Sequence, residues 1–453
     1  MKIVIIGAVA AGAKAAAKSK RLLPDAEIII YTQEEFVSYS SCGLPYFIGG
    51  SFEDPKKLIV RSIDKFEESG IKVHNFHRVT EIFPEEKQIK VMDIKSGHEF
   101  VTDYDKLLIA TGAKPRIPDI SNIGLHNIFS LRTLDDGIRI RETMLKSKKA
   151  VIVGGGYVGL ELMEAFVHNG LHVTMLEHNL NIMNYLDDDI ISLVTAYIHN
   201  SFEKNVVIYT NANITEFIGD ERVRAVRLSN NNLISADFVA LCSGVEPVVD
   251  LAKSAGIALG KTGAIKVNSR MQTNIPDIYA AGDCVEKINM ISNTPMWIPL
   301  GSTANKEGRC AAINMCGGVE DFEGVLGSAV TRFFDLTISK TGLTTRVAED
   351  LGYDTVSAII TKRDKAGYMP TVGYLTLKLI ADRRSHRILG AQAVGSSDAD
   401  KRINILTTGM IKGLTVEDLS DTDVTYAPPY STSIDPLIDA VRILKEKLAC
   451  CGG

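Results

Sequence analysis

Cys42 stands in the run Ser38-Tyr39-Ser40-Ser41-Cys42-Gly43-Leu44-Pro45-Tyr46-Phe47, a lone thiol among hydroxyls just ahead of a Gly-Leu-Pro turn. A cysteine is a good nucleophile only as thiolate, so its pKa must fall from about 8.5 through hydrogen bonds, a helix N-terminus or a nearby positive charge. Ser40, Ser41 and the local amides are the donors the sequence offers. A lone cysteine is more often a small buried hydrophobe, and Cys242, Cys284, Cys310 and Cys316 fit that description. The seven cysteines (42, 242, 284, 310, 316, 450 and 451) are scattered, with no C-x2-C or other metal-ligand pairing, so no metal site is expected. That usage suits a reducing cytoplasm better than a disulfide framework.

Reactive sulfur must be positioned against a source of electrons, and the chain offers two strand–glycine–helix units. Residues 3–6 are an apolar run that reads as a buried parallel strand. It feeds Gly7-Ala8-Val9-Ala10-Ala11-Gly12 and an alanine-rich helix, and residues 27–31 form the next strand. This is a βαβ unit of the dinucleotide-binding kind, with pyrophosphate on a helix N-terminus. Val9 replaces the middle glycine, and Thr32 stands where an acid is expected, with Glu34 and Glu35 just beyond. The second unit is complete. Residues 150–153 lead into Gly154-Gly155-Gly156-Tyr157-Val158-Gly159, a full G-x-G-x-x-G, and the strand 172–176 ends on Glu177. An acid there accepts the ribose hydroxyls and repels a 2′-phosphate, which favours NADH over NADPH. Two further stretches, YDKLLIATG (104–112) and TNIPDIYAAGD (273–283), read as strands running into turns, the second presenting Asp283.

At 453 residues the chain is long enough for two or three domains. Its 45% hydrophobic and 23% charged content is that of a soluble globular protein. A net charge of −5 argues against a nucleic-acid partner. No run reaches the roughly 18 to 20 uncharged apolar residues of a membrane span. The N-terminal apolar run could pass for a signal peptide, but Lys14, Lys18, Lys20 and Arg21 follow at once and the glycines belong to the first unit, so a cytoplasmic protein is expected.

In order along the chain, GAVAAG, SSCGLPY, ATGAKPR, GGGYVGLE, AGDC and PLGSTANKEGR resemble the FAD- and NAD(P)H-dependent pyridine nucleotide–disulfide oxidoreductases. Within them the chain is most similar to the single-cysteine branch of coenzyme A disulfide reductases, NADH oxidases and peroxidases, and persulfide reductases. The resemblance runs over essentially the whole chain, including YAPPYS near its end. It implies an α/β fold with two Rossmann-like nucleotide-binding domains and a C-terminal α+β dimerisation domain. The FAD domain would comprise residues 1–115 and 246–325, the NADH domain 116–245, and the dimerisation domain 326–453. Gly7, Gly12, the Ala110-Thr111-Gly112 turn, Asp283 and Lys306 would then hold FAD, with Glu34 or a water replacing the acid missing at Thr32. Gly154, Gly156, Gly159 and Glu177 would hold NADH, Tyr157 would cover the flavin face until nicotinamide displaces it, and Glu161 would sit by the nicotinamide.

Two-cysteine members of that family carry C-x4-C on this helix, whereas Phe47 follows Cys42 by five positions. The second sulfur must therefore be external or the partner oxygen-derived: a mixed disulfide with a small thiol such as coenzyme A, a persulfide, or a sulfenic acid. Ala10 and Ala11 lie where oxidases and peroxidases carry a histidine, and SSCGLPYFIGG resembles the coenzyme A disulfide reductase form. Beyond residue 325 the only histidine is His386, so the His–Glu acid/base pair of two-cysteine relatives is absent. The resemblance offers Tyr368 and Tyr426 as proton donors. Both would reach the site from the partner subunit of a homodimer, with Tyr430 as a substitute. Lys14, Lys18 and Arg21 could receive the phosphates of coenzyme A, with Ser38 and Ser41 nearer the sulfur. The tail pair Cys450-Cys451 is similar to the vicinal cysteines of mercuric reductases, although a functionless tail fits equally well. The expectation is a homodimeric flavoenzyme that reduces coenzyme A disulfide, or a related small disulfide or persulfide. The alternatives are an NADH oxidase or peroxidase with a Cys42 sulfenate, and a non-enzymatic FAD redox sensor.

Overall fold

The structure, a computed structural model, describes residues 1–396 and 398–449. The Cys450-Cys451 pair lies outside the described residues. Strand β1 (Lys2–Ile6) leads through the first glycine turn into helix α1 (Ala10–Leu22), and β2 (Glu27–Tyr31) follows. Ile3, Val4, Ile5, Ile28 and Ile30 are solvent-free, as expected of parallel strands covered on both faces. A five-stranded sheet runs in the order Ile278–Ala280, Lys106–Ile109, β1, β2, Ile71–His74, with every pair parallel. Its outer strand, Ile278–Ala280, arrives only after the whole second unit has been traversed.

That second unit repeats the plan. Its parallel sheet runs Val206–Tyr209, His172–Leu176, Lys149–Val153, Phe238–Leu241, Ile128–Ser130. The chain leaves and re-enters the first unit through paired antiparallel strands, Ala113–Pro115 and Val245–Pro247. The C-terminal segment is a five-stranded antiparallel sheet from Ala329–Phe333 to Ile388–Gly395, covered by helices Ala399–Ile411 and Pro436–Ala449.

The two glycine turns are nearly superposable in their constraints. Gly7 and Gly154 have φ of +107° and +106°, and a Cβ on either would come within 2.2 Å or 2.3 Å of the carbonyl oxygen of Ala110 or Cys242. Gly12 and Gly159 let their helices close on the first glycine of each turn, where a Cβ would lie 1.9 Å or 2.1 Å from its oxygen. The middle position is different: Val9 at φ −98° and Gly156 at φ −82° both keep negative φ, so neither needs the left-handed region that favours glycine. The first turn therefore closes with a valine where the motif has its middle glycine.

Candidate active site

One cavity of about 2010 Å³ connects both glycine turns with Cys42. Its wall includes His77, Arg78 and Val79 at one end, Gly7 to Ala11 in the middle, and Gly156, Tyr157 and Glu161 beyond Cys42. A space of this length, with two uncapped helix N-termini opening into it, fits a dinucleotide on each unit. Small residues make the room: the turn at Ala110, Thr111 and Gly112 lines the wall, and Gly112 adopts φ +71°.

Cys42 sits on the single turn Ser41–Gly43, followed at once by helix α2 (Leu44–Ile48) with proline in its first turn. The thiol is accessible from the cavity and free of any disulfide. Phe47 turns the other way, buried against Phe52 with the Arg141 guanidinium over its ring. Burial pushes the Cys42 thiol up, and the carboxyls of Glu161 and Asp283 push it further, against a hydrogen bond from Ser41 and the charge of Arg132. The side chains of this chain thus favour the thiol, contrary to what a nucleophile needs. One feature of the backbone acts the other way. Helix Gly301–Met315 starts beside the sulfur, where a Cβ on Gly301 would lie 3.9 Å from Cys42 Sγ, and its first turn carries no side-chain cap. The unpaired amides of such a turn favour negative charge.

The expected cofactor residues divide into those on the wall and those behind it. Asp283 lines the cavity, and its carboxylate accepts a hydrogen bond from Arg132 at 3.2 Å. Glu34 and Thr32 both line it as well. The Glu34 carboxylate accepts from the Tyr39 hydroxyl at 2.7 Å, and burial raises its pKa. Gly12, Gly154 and Gly159 lie behind the wall as packing glycines. Glu177 is buried and accepts from Gly155 N at 2.6 Å, and from Asn179 N and Nδ2 at 2.7 Å each. Lys306 is not brought to the wall: the helix turns Gly301, Ala304 and Asn305 inward and leaves Lys306 exposed on the outer face. Glu161 lines the cavity with its carboxyl accepting from Thr331 Oγ1 at 3.3 Å, and burial raises its pKa to about 7.

Of the expected substrate residues, Ser38, Ser41, Lys14 and Arg21 line the cavity, Lys14 and Arg21 two helical turns apart. Lys18 falls off that face, toward the Cys316 thiol. Tyr368 and Tyr426 are 76% and 52% exposed, and neither lines the cavity of its own chain. Arg61, Arg132 and Tyr185 are among the cavity residues not anticipated from sequence. Arg61 adds a third cation to the lining, held over the Phe66 ring at 4.4 Å. Arg132 follows the strand Ile128–Ser130, and Tyr185 lies under Tyr157. All three sit in irregular segments with no motif to mark them.

Two glycine-turn units sharing one cavity, with an exposed cysteine on its wall, define an oxidoreductase built for two dinucleotides. Residues 1–308 match the pyridine nucleotide-disulphide oxidoreductase model, and 328–437 match the dimerisation domain of the same enzymes. The chain belongs to this family, and its cofactors are FAD and NAD(P)H. It is 36% identical over 447 residues to the NAD(P)H coenzyme A polysulfide/persulfide reductase of Pyrococcus horikoshii, covering 98% of each chain. It is 32% identical over 435 residues to the coenzyme A disulfide reductase of Staphylococcus epidermidis, covering 95% of this chain and 96% of that one. Among solved structures, the NAD-dependent persulfide reductase of A. fulgidus is similar at TM-score 0.96 and 34% identity, covering 99% of this chain and 84% of that one. Among the described residues no helix is long and apolar enough to cross a membrane.

Proposed function

We propose that the chain is a cytoplasmic, homodimeric reductase of coenzyme A disulfide or of a related small disulfide or persulfide, with Cys42 as its redox-active sulfur and NADH as the favoured reductant. The observation that carries this reading is the exposed Cys42 thiol in a cavity lined also by Lys14, Arg21 and Arg61, with no second sulfur at Phe47. The domain limits 1–115 with 246–325, 116–245, and 326–453 belong to the same proposal. So does the assignment of Gly7, Ala110, Thr111, Gly112, Asp283 and Glu34 to FAD, with Gly12 shaping its turn, and of Gly156, Tyr157 and Glu161 to NADH, with Gly154, Gly159 and Glu177 shaping its turn from behind the wall.

When bound, the flavin supplies hydride acceptance from nicotinamide and delivery of two electrons to sulfur. The chain does the rest. Cys42 thiolate attacks one sulfur of the substrate, the substrate S–S bond breaks, and a Cys42–S–S–R mixed disulfide forms. The departing thiolate takes a proton, for which Tyr426 and Tyr368 of the second subunit are the proposed donors. Two electrons then cleave the mixed disulfide, which returns Cys42 as thiolate and releases the second thiol after protonation. Lys14, Arg21 and Arg61 would pair with substrate phosphates while Ser38 and Ser41 donate hydrogen bonds nearer the sulfur. Glu177, fixed by its three donors, leaves little freedom to move aside for a 2′-phosphate.

Mass spectrometry of the isolated protein tests the reading. A Cys42 peptide carrying the mass of coenzyme A, released by reductant, is the expected result, and one added oxygen would favour an oxidase with a Cys42 sulfenate. Cys42→Ser is expected to lower disulfide turnover by about a thousandfold or more while leaving flavin reduction by NADH near the parental rate. Parental disulfide turnover in that variant would overturn the mechanism.

A further inference from the structure

The second glycine turn carries Tyr157 at the start of helix Tyr157–His168, and the ring does not stand alone in the cavity. It stacks on Tyr185, with centroids 4.1 Å apart and the planes 20° from parallel. Both rings line the cavity beside Glu161. The contact is a stacked ring face, and the two buried hydroxyls also bear on each other.

The segment that presents Tyr185 is fastened at both ends. Met183 N donates to Gly155 O at 2.8 Å, inside the glycine turn itself, and Met183 holds φ +53°, a conformation that a bulky residue adopts only under constraint. Ile182 fills the space over Gly155, where a Cβ would lie 2.6 Å from its Cγ2. On the other side, Tyr185 O accepts from Lys340 Nζ at 3.2 Å. Asp187 N donates to Gln392 Oε1 at 2.8 Å. The buried Asp187 carboxylate accepts from Thr345 Oγ1 at 2.7 Å and from Lys378 Nζ at 2.8 Å. Lys340, Thr345, Lys378 and Gln392 all belong to the C-terminal sheet segment.

We propose that Tyr185 is a positioning residue: a fixed ring, bolted to the C-terminal domain through Asp187, against which Tyr157 rests so that the nicotinamide end of the cavity is held open. The C-terminal domain thereby sets the nicotinamide pocket of its own chain. This rests on the assignment of the second unit to NADH but on nothing about the disulfide.

The test uses the FAD-loaded protein and two measurements: the dissociation constant of NAD+ by calorimetry, and the limiting rate of flavin reduction by NADH in stopped flow. Tyr185→Leu is expected to weaken NAD+ about fivefold and slow reduction about fivefold. Tyr185→Phe, which keeps the ring face, stays within about twofold of the parent in both. In a Tyr157→Leu background, Tyr185→Leu adds less than about twofold, because its effect passes through the missing ring. Parental values for Tyr185→Leu, an equal loss in Tyr185→Phe, or full additivity with Tyr157→Leu would each overturn the proposal. If the leucine variant sheds FAD, Tyr185→Met fills the gap with a flexible apolar chain and is judged by the same criteria. Neither measurement involves a disulfide, so failure here leaves the substrate reading standing, and an unmodified Cys42 leaves this one.

Discussion

Cys42 is held between opposing influences: burial is the largest, and the charge of Glu161 is one that can change. Burial and the carboxyls of Glu161 and Asp283 raise its pKa, while the first turn of helix Gly301–Met315 favours the anion. Glu161 is itself raised to about 7 by burial, so near neutral pH it alternates between a neutral and a charged neighbour of the thiol. Removing that charge by Glu161→Gln should lower the thiol pKa and quicken alkylation of Cys42 by iodoacetamide at pH 8 by about twofold. The same carboxyl bears on stability with a definite sign. The folded chain keeps a proton that the unfolded chain has released from its ordinary value of 4.5 upward, so the stability Glu161 costs grows as pH rises from there to about 7 and levels off above it. The melting temperature of Glu161→Gln relative to the parent should therefore climb between pH 5 and pH 8, by roughly 2 °C or more. A flat difference across that range would show that Glu161 is not desolvated in solution. At this scale the sequence was uneven as a guide. Cys42 announced itself by its hydroxyl neighbours and the turn behind it, whereas Arg61, Arg132 and Tyr185 act through places in loops that no spacing rule marks.

Among the elements, the loops bearing the exposed tyrosines depend on one buried cation. Arg402, on helix Ala399–Ile411, is wholly buried and donates to the Asp435 carboxylate at 3.0 Å and 3.3 Å. It also donates to the carbonyls of Asp364 at 3.3 Å and Tyr430 at 3.5 Å. Ser431 adds a hydroxyl to the same carboxylate at 2.7 Å, and Ala366 N bonds Pro428 O at 3.2 Å. The loop with Tyr368 and the loop with Tyr426 are thus sewn to each other beneath the surface. Arg402→Met leaves the Asp435 charge buried and unpaired, and should cost about 3 to 5 kcal/mol in urea unfolding. The double variant Arg402→Met, Asp435→Leu should recover much of that loss, and a single variant as stable as the parent would show the pair to be idle. The elements of both glycine units were legible because parallel strands buried on two faces read as short apolar runs and because tight turns demand glycine at two of three positions. The Arg402 clasp was not, since an arginine and an aspartate 33 positions apart carry no period.

Across the whole molecule, Tyr368 and Tyr426 stand exposed and do not line the cavity that holds Cys42 in their own chain, so their proposed role as proton donors requires a second subunit. Mixing two impaired variants tests this. Cys42→Ser and Tyr426→Phe subunits, co-refolded or co-expressed, should yield mixed dimers in which one site has an intact Cys42 from one chain and an intact Tyr426 from the other. With random pairing, about a quarter of all sites should regain parental disulfide turnover, half the dimers being mixed with one complete site each. Turnover no greater than the average of the two parents would place the tyrosine outside the site. The order of the strands has a last consequence, for how the protein is made. The second sheet is assembled from the continuous stretch 128–241, while the first waits for Ile278–Ala280 to close its edge and for Asp283 to follow. During vectorial synthesis the later unit can therefore fold before the earlier one is finished. The nascent N-terminal strands therefore wait, with one sheet edge unfilled, until Ile278–Ala280 has emerged from the ribosome.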